Sequence, residues 1–394
     1  MLLTAFARPA TLLRHYPARL LPRWSRATFT SQADNAVPAP VRSPAEIATR
    51  SACLQLVLAR WGMEMALKMG HGNEETKSQA LTNISLAAQE SIIQANLSGH
   101  EKLLMLKEDG EWNLEDLHCH GHWESLGILL WTLARVKDIP PYYEMFSRPQ
   151  LFNATGIQPA KPITIHNFIS SAEQHYQPRP TAQFHEAVNK AEAWYWRAHA
   201  QRLLQTREQL GLDGENPSGS DPSAPSSTSA PEPASASTRL ESSPTMAANP
   251  TERTRLPRSF LKFLKGLPHA IDQASDLALE HHFIAAKTDG DFGVESGALY
   301  GNLGHPQHNI PLNDDGSAME IPPTWMPYKQ IDDSGHFLLS DIAQHRMLAF
   351  GWLAGRVTDW DTDKTQLPNV NPVSSLWAPF NELEVEKGEG EDKE

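Results

Sequence analysis

Arg346 sits in the middle of an apolar stripe with helical spacing, and a guanidinium in that place cannot be buried without a carboxylate or carbonyl partner. From Phe337 onward, Leu338, Ile342, Ala349, Trp352 and Leu353 recur at helical intervals, which predicts one buried helix face stopped near Gly355. His345 adjoins Arg346, so the orientation that buries Trp352 brings at least one of the two to the core. The acid that meets Arg346 must come from a distant part of the chain. The residues just downstream, Asp359-Trp360-Asp361-Thr362-Asp363, alternate Asp as a calcium loop does. Lys364 stands where that loop needs Gly and Val370 where it needs Glu, so the run reads as Asx-turns and a helix-ending cap.

The expected acid is Glu124. It opens Glu124-Ser125-Leu126-Gly127-Ile128-Leu129-Leu130-Trp131-Thr132-Leu133, a helix apolar on most sides and so suited to the centre of a bundle. A carboxylate entering such a helix is favoured by the N-terminal dipole and needs a cation. Just before it, His118, Cys119, His120 and His122 crowd into five residues. Imidazole and thiolate are the ligands zinc prefers, but the spacing is poor evidence for a site, since alternate His also suits a hydrated loop and no matching second pair lies nearby.

Other helices follow from the same periodicity. Ser43-Pro44-Ala45-Glu46 forms a capping box ahead of Ile47, Leu54, Leu58 and Trp61. Leu81, Ile84, Ala88 and Ile92 predict a helix over about 77–97, and residues 146–165 read as irregular. Ala187, Ala191, Trp194, Tyr195 and Ala198 mark a helix over 184–210, carrying Arg197 and His199 on what reads as a solvated face or an anion pocket. Phe260 to Leu277 mark another helix, over 257–287. Asp289-Gly290 is a turn signal, with Phe292-Gly293-Val294 a short extended piece after it.

The remainder is address and linker. Residues 1–33 carry Arg8, Arg14, Arg19, Arg23 and Arg26 with no acid before Asp34, the composition of a mitochondrial transit peptide and hence of a matrix protein. Residues 34–42 read as a linker. Residues 211–256 are Ser, Pro, Ala and Thr with few large apolar groups; they cannot repay the entropy of ordering and are expected to be disordered, as is the acidic tail 381–394. A net charge of −13 argues against nucleic acid as a partner, and no apolar window is long enough for a membrane span. Two cysteines, Cys53 and Cys119, cannot build a disulfide framework and read as packing residues.

Several of these stretches resemble a widespread bacterial family, domain of unknown function 4272. DIAQHRMLAFGWL, then Trp360-Asp361, then Asp363 and Thr365, is similar to its closing signature, approximately IAxERxxALNWL, WD and TDT. His345 stands where the family has Glu and Gly351 where it has Asn. RSPAEIATRSACLQLVLA resembles the opening RSxEEIAxRAxxLxxVA, and Glu124 to Leu133 resembles EALxxLLWAL. Trp196-Arg197-Ala198-His199 resembles YRxHWA with Ala200 in place of Trp, and the run around Asp291-Phe292 resembles gDFxV. The resemblance implies that residues 43–210 and 257–380 form one domain interrupted by the insertion, and it carries no activity.

The expectation is thus an all-α single domain of about seven helices, with a long disordered insertion and disordered termini. Two functions fit. In the first, a non-catalytic binding or scaffold protein uses Glu124, Arg197, His199, Arg346 and Asp361 as one buried ionic network. In the second, a hydrolase-like enzyme uses the same groups in a cleft, with Glu124 or His199 as acid/base and Arg346 as anion holder. No nucleophile elbow, phosphate-binding Gly loop or dinucleotide fingerprint is present, so no cofactor is expected, and the partner is a protein or small molecule.

Overall fold

The structure is a computed structural model that describes residues 40, 42–175, 177, 179–212, 258–302, 324–358 and 360–361, the side chains of His120, Arg258, Ser259 and Asn302 excepted. The expected presequence, linker, insertion and acidic tail lie outside these residues, apart from positions 40, 42, 211 and 212. The described chain is predominantly helical. Eleven α-helices run in the order α1 (Pro44–Lys68), α2 (Glu74–Ala88), α3 (Ser91–Asn96), α4 (Gly99–Leu106), α5 (His122–Thr132), α6 (Arg148–Thr155), α7 (Ile163–His175), α8 (Thr181–Gln209), α9 (Arg258–Glu280), α10 (Ser296–Asn302) and α11 (Asp333–Leu353). None is long and apolar enough to cross a membrane.

The count exceeds the seven expected because two stretches divide differently from their sequence pattern. The predicted helix over 77–97 breaks at Gln89-Glu90 into α2 and α3, where no Gly or Pro announces the break. The supposedly irregular 146–165 contains α6, started by Ser147-Arg148-Pro149 and stopped by left-handed Gly156, and leads into α7. Helices of six to eight residues are too short to show a period.

Contacts divide the chain into a larger unit, 1–201 with 270–394, and a smaller one, 202–269. The smaller unit's described residues are the end of α8 and the start of α9. In the larger unit α1 is the axis. Ser43 and Glu46 form the expected reciprocal cap at its start, and every residue from Ile47 to Leu58 is buried. Such an element must be covered all round, and α2, α5 and α7 pack on it. α11 packs along α5, which brings the chain before and after the insertion onto one core.

A small antiparallel sheet, β1 (Lys287–Thr288), β2 (Asp291–Glu295) and β3 (Trp325–Pro327), stands in the order β1-β2-β3. Its first hairpin turns on Asp289-Gly290, both with positive φ, as a two-residue turn requires. α11 ends in a left-handed Gly355 whose N–H bonds Trp352 O, while Arg356 N–H bonds Gly351 O, so the predicted stop is a closed C-terminal cap.

Candidate functional site

Glu124 lies in the first turn of α5 and Arg346 in the middle of α11, at 2% and 0% exposure. Arg346 Nε donates to Glu124 Oε2 at 2.8 Å, so the distant acid required by the sequence is the one expected. The other guanidinium nitrogens are also taken: Nη1 donates to Pro140 O at 2.7 Å and Nη2 to Glu144 O at 2.8 Å. Glu124 Oε1 accepts the Phe146 N–H at 3.0 Å. The loop 140–146 therefore wraps the ion pair with its backbone. A Cβ at Gly127 would overlap the Phe146 ring, so the helix face beneath the loop has to be bare. Burial lifts the Glu124 carboxyl above the ordinary glutamate range, with Arg346 and the Phe146 N–H pulling the other way.

Arg197, fully buried on α8, makes a separate knot. Its Nε and Nη2 donate to the two oxygens of Asp291 at 2.6 Å each, and Nη2 also reaches Gln201 at 3.1 Å. Asp291 further accepts the N–H groups of Phe292 at 2.7 Å and Lys329 at 2.8 Å. The sequence reading grouped Arg197 with Glu124 and Arg346, and the structure corrects this. Asp291 is the partner that was missed, because Asp-Gly-Asp reads as a turn. The signal available was its place at the head of the extended Asp291-Phe292-Gly293-Val294.

The two knots touch through rings. Arg346 lies 4.6 Å from the Tyr142 ring, which stacks on Trp194 at 5.4 Å; Trp194 lies 6.4 Å from Tyr328, and Arg197 sits 4.3 Å from that ring.

Asp361 belongs to neither knot. It is exposed, and its carboxylate accepts the His100 N–H at 2.9 Å, at the start of α4. Beside it, Arg50 lies 4.9 Å from the Trp360 ring and pairs with Glu101, while Arg42 lies 4.8 Å from Trp352; the two tryptophans meet edge to face at 5.7 Å. The start of α1 and the chain just after α11 are thus clasped by an Arg-Trp-Trp-Arg row. His199 leaves α8 two residues beyond Arg197, on a different side, and rests edge-on against Tyr195 at 4.4 Å. Of the five residues expected to form one network, Glu124 and Arg346 meet in one knot, Arg197 lies in a second, Asp361 caps α4 and His199 rests on Tyr195.

Of the zinc candidates, the side chain of His120 lies outside the described residues. His118 is exposed in the turn of 3-10 helix at Asp116–Gly121, Cys119 is buried, and the half-buried His122 lies 4.9 Å from the His345 ring. Among the described residues no group of three His, Cys, Asp or Glu could hold a metal. His345 is wholly buried with its ring 3.5 Å from Asp341, so both members of the His345-Arg346 pair enter the core. Cys53 and Cys119 are buried and unbridged, and burial pushes the Cys53 thiol up to about 12, which leaves it a packing residue at neutral pH.

No protein-family model, no curated protein and no solved structure matches the chain.

Proposed function

We propose that this chain is a non-catalytic helical binding or scaffold protein of the mitochondrial matrix, related to the domain-of-unknown-function 4272 family, in which acid–arginine ties hold the fold. One observation carries the reading: all three nitrogens of Arg346 and both oxygens of Glu124 are occupied by protein groups. An acid/base or anion-holding group needs a free valence toward a ligand, and this pair has spent its own on the loop 140–146.

The residues that carry the family resemblance support the same view. Among them, Arg42, Arg50, Glu124, Arg197, Asp291, Arg346 and Trp360 take part in the two knots and the Arg-Trp row. The signature then describes what keeps such a chain folded. The matrix address rests on the five arginines and absence of acids in residues 1–33.

The full chain is expected to turn over no ester, amide or phosphate-ester substrate in a hydrolase panel, while Glu124→Gln lowers its melting temperature. Turnover that Glu124→Gln abolishes with melting unchanged would establish the hydrolase-like alternative instead. Fluorescent fusions with and without residues 1–33 test the address: the longer fusion should be mitochondrial and the shorter diffuse, and identical distributions remove that part.

A further inference from the structure

We propose that the cleft between the end of α5, the end of α6 and one face of α7 binds a small organic anion through Arg135, Asn167 and Ser171. The proposal rests on the binding-module reading and gives it a ligand class. The cleft measures about 250 Å³, and its lining includes Arg135, Thr155, Thr164, Asn167, Phe168 and Ser171, with no carboxylate among the lining residues. That volume lies under the roughly 300–1,000 Å³ of pockets for drug-sized ligands, so the occupant is of metabolite size.

The charge is placed for a ligand. Arg135 donates one hydrogen bond, from Nη2 to Ser171 Oγ at 2.7 Å, and has no carboxylate partner among the described residues. In a chain with 47 acids to 34 basic residues, an exposed arginine that leans on a hydroxyl is unusual company for a polar cleft. Ser171 accepts that bond, which leaves its own hydrogen to point elsewhere. Asn167 stands one turn earlier on the same face of α7 and brings amide donors. Phe168, 5% exposed, supplies an apolar wall.

The two threonines are fixed structure. Thr155 donates inward to Gln55 and accepts the Ile157 N–H, and Thr164 donates to Lys161 O while accepting the Gln158 N–H. Three donors beside one ring therefore remain, the pattern that recognises an oxyanion carried on a small apolar body.

The mount of Arg135 is rigid, and part of its rigidity is strained. Ala134 has φ of 56°, a left-handed conformation that L residues seldom adopt. It turns the chain so that Arg135 and Val136 N–H groups both bond Leu130 O, at 2.9 and 3.3 Å. Arg179 clamps the same turn from outside, donating to Trp131 O at 2.9 Å, Val136 O at 2.6 Å and Lys137 O at 3.1 Å. The same cap closes α9 at His282 and α11 at Gly355, so the conformation ends α5 and fixes the point at which Arg135 leaves the helix.

Benzoate, with benzamide as its neutral isostere, tests the site on the full chain by NMR titration at low salt. Saturable benzoate binding is expected, weakened at least about tenfold by Arg135→Gln, partly restored by Arg135→Lys, and absent or at least about tenfold weaker for benzamide. Circular dichroism of the variants should match wild type, since Arg135 is exposed. No saturable benzoate binding, equal binding of benzamide, or full binding by Arg135→Gln would each overturn the proposal. None of these outcomes touches the non-catalytic reading, which falls only to turnover.

Discussion

Arg346 and Arg197 lie over opposite ends of one aromatic row, with Tyr142, Trp194 and Tyr328 between them. Each guanidinium is neutralised by its own acid, so the row links two charge-neutral pairs and joins no pair of like charges. Its consequence is mechanical. Disturbing either knot shifts a ring that the other knot packs against.

Glu124→Ala should destabilise the protein by about 3–5 kcal/mol, because it leaves a buried guanidinium without its acid. The melting temperature is expected to fall by roughly 10 °C or more. Urea denaturation followed by circular dichroism checks this; a loss under about 1 kcal/mol would mean that the loop carbonyls alone satisfy Arg346.

Arg197→Met and Asp291→Asn should be strongly non-additive. Each single change strands a buried polar group, whereas the double variant strands less, so the coupling energy should exceed about 1 kcal/mol. A double-mutant cycle in denaturant measures it directly, and additive effects would place the two residues in independent surroundings.

Stability should peak at mildly acid pH. Burial, the largest cause in each case, raises the carboxyls of Glu144 and Glu192 above the ordinary value of about 4.3. A raised folded-state pKa means the folded chain takes up protons first, so stability climbs as pH falls through those raised values toward the unfolded one. Glu46 runs the other way, held below its ordinary value by the Ser43 N–H and hydroxyl. So does Asp116, where Lys107 and the Asn113 N–H outweigh burial. Their contribution is present above the unfolded value and is lost as pH falls through their lowered ones. Melting temperatures from pH 7.5 to 3 should rise, then fall; a monotonic decline from neutrality would refute the assignment.

Trp360→Ala should cost about 3 kcal/mol, by removing a buried ring and the platform of Arg50. Arg42→Ala, at the half-exposed end of the same row, should cost less than about 1 kcal/mol. Limited proteolysis near residues 98–101 should quicken in the first variant and not in the second.

What the sequence revealed were the demands of single residues. Arg346 on a buried helix face required an acid, and Glu124 stood at the head of the apolar helix best suited to the centre, so their meeting across the insertion was legible. Ser43 and Glu46 announced α1, and Gly355 announced the end of α11. Partner choice was less legible. Asp291 and Asp361 are chemically alike, and only the tertiary path of β2 and the approach of Trp360 to α4 decide that one meets Arg197 and the other meets the His100 N–H. The split of 77–97 into α2 and α3 likewise follows from packing against α1, for which residues 89–91 carry no local signal.

The clasp of Arg42 and Arg50 by Trp352 and Trp360 bears on the order in which the protein can be made. α1 is among the earliest described elements to leave a ribosome, and the helices that cover it, α2, α5 and α7, are all made by residue 175, whereas its two tryptophan platforms arrive only at residues 352 and 360. Its apolar flanks can therefore be covered while the second half of the chain is still being made, and Arg42 and Arg50 wait for their rings until residue 360, which puts the clasp among the last contacts to form.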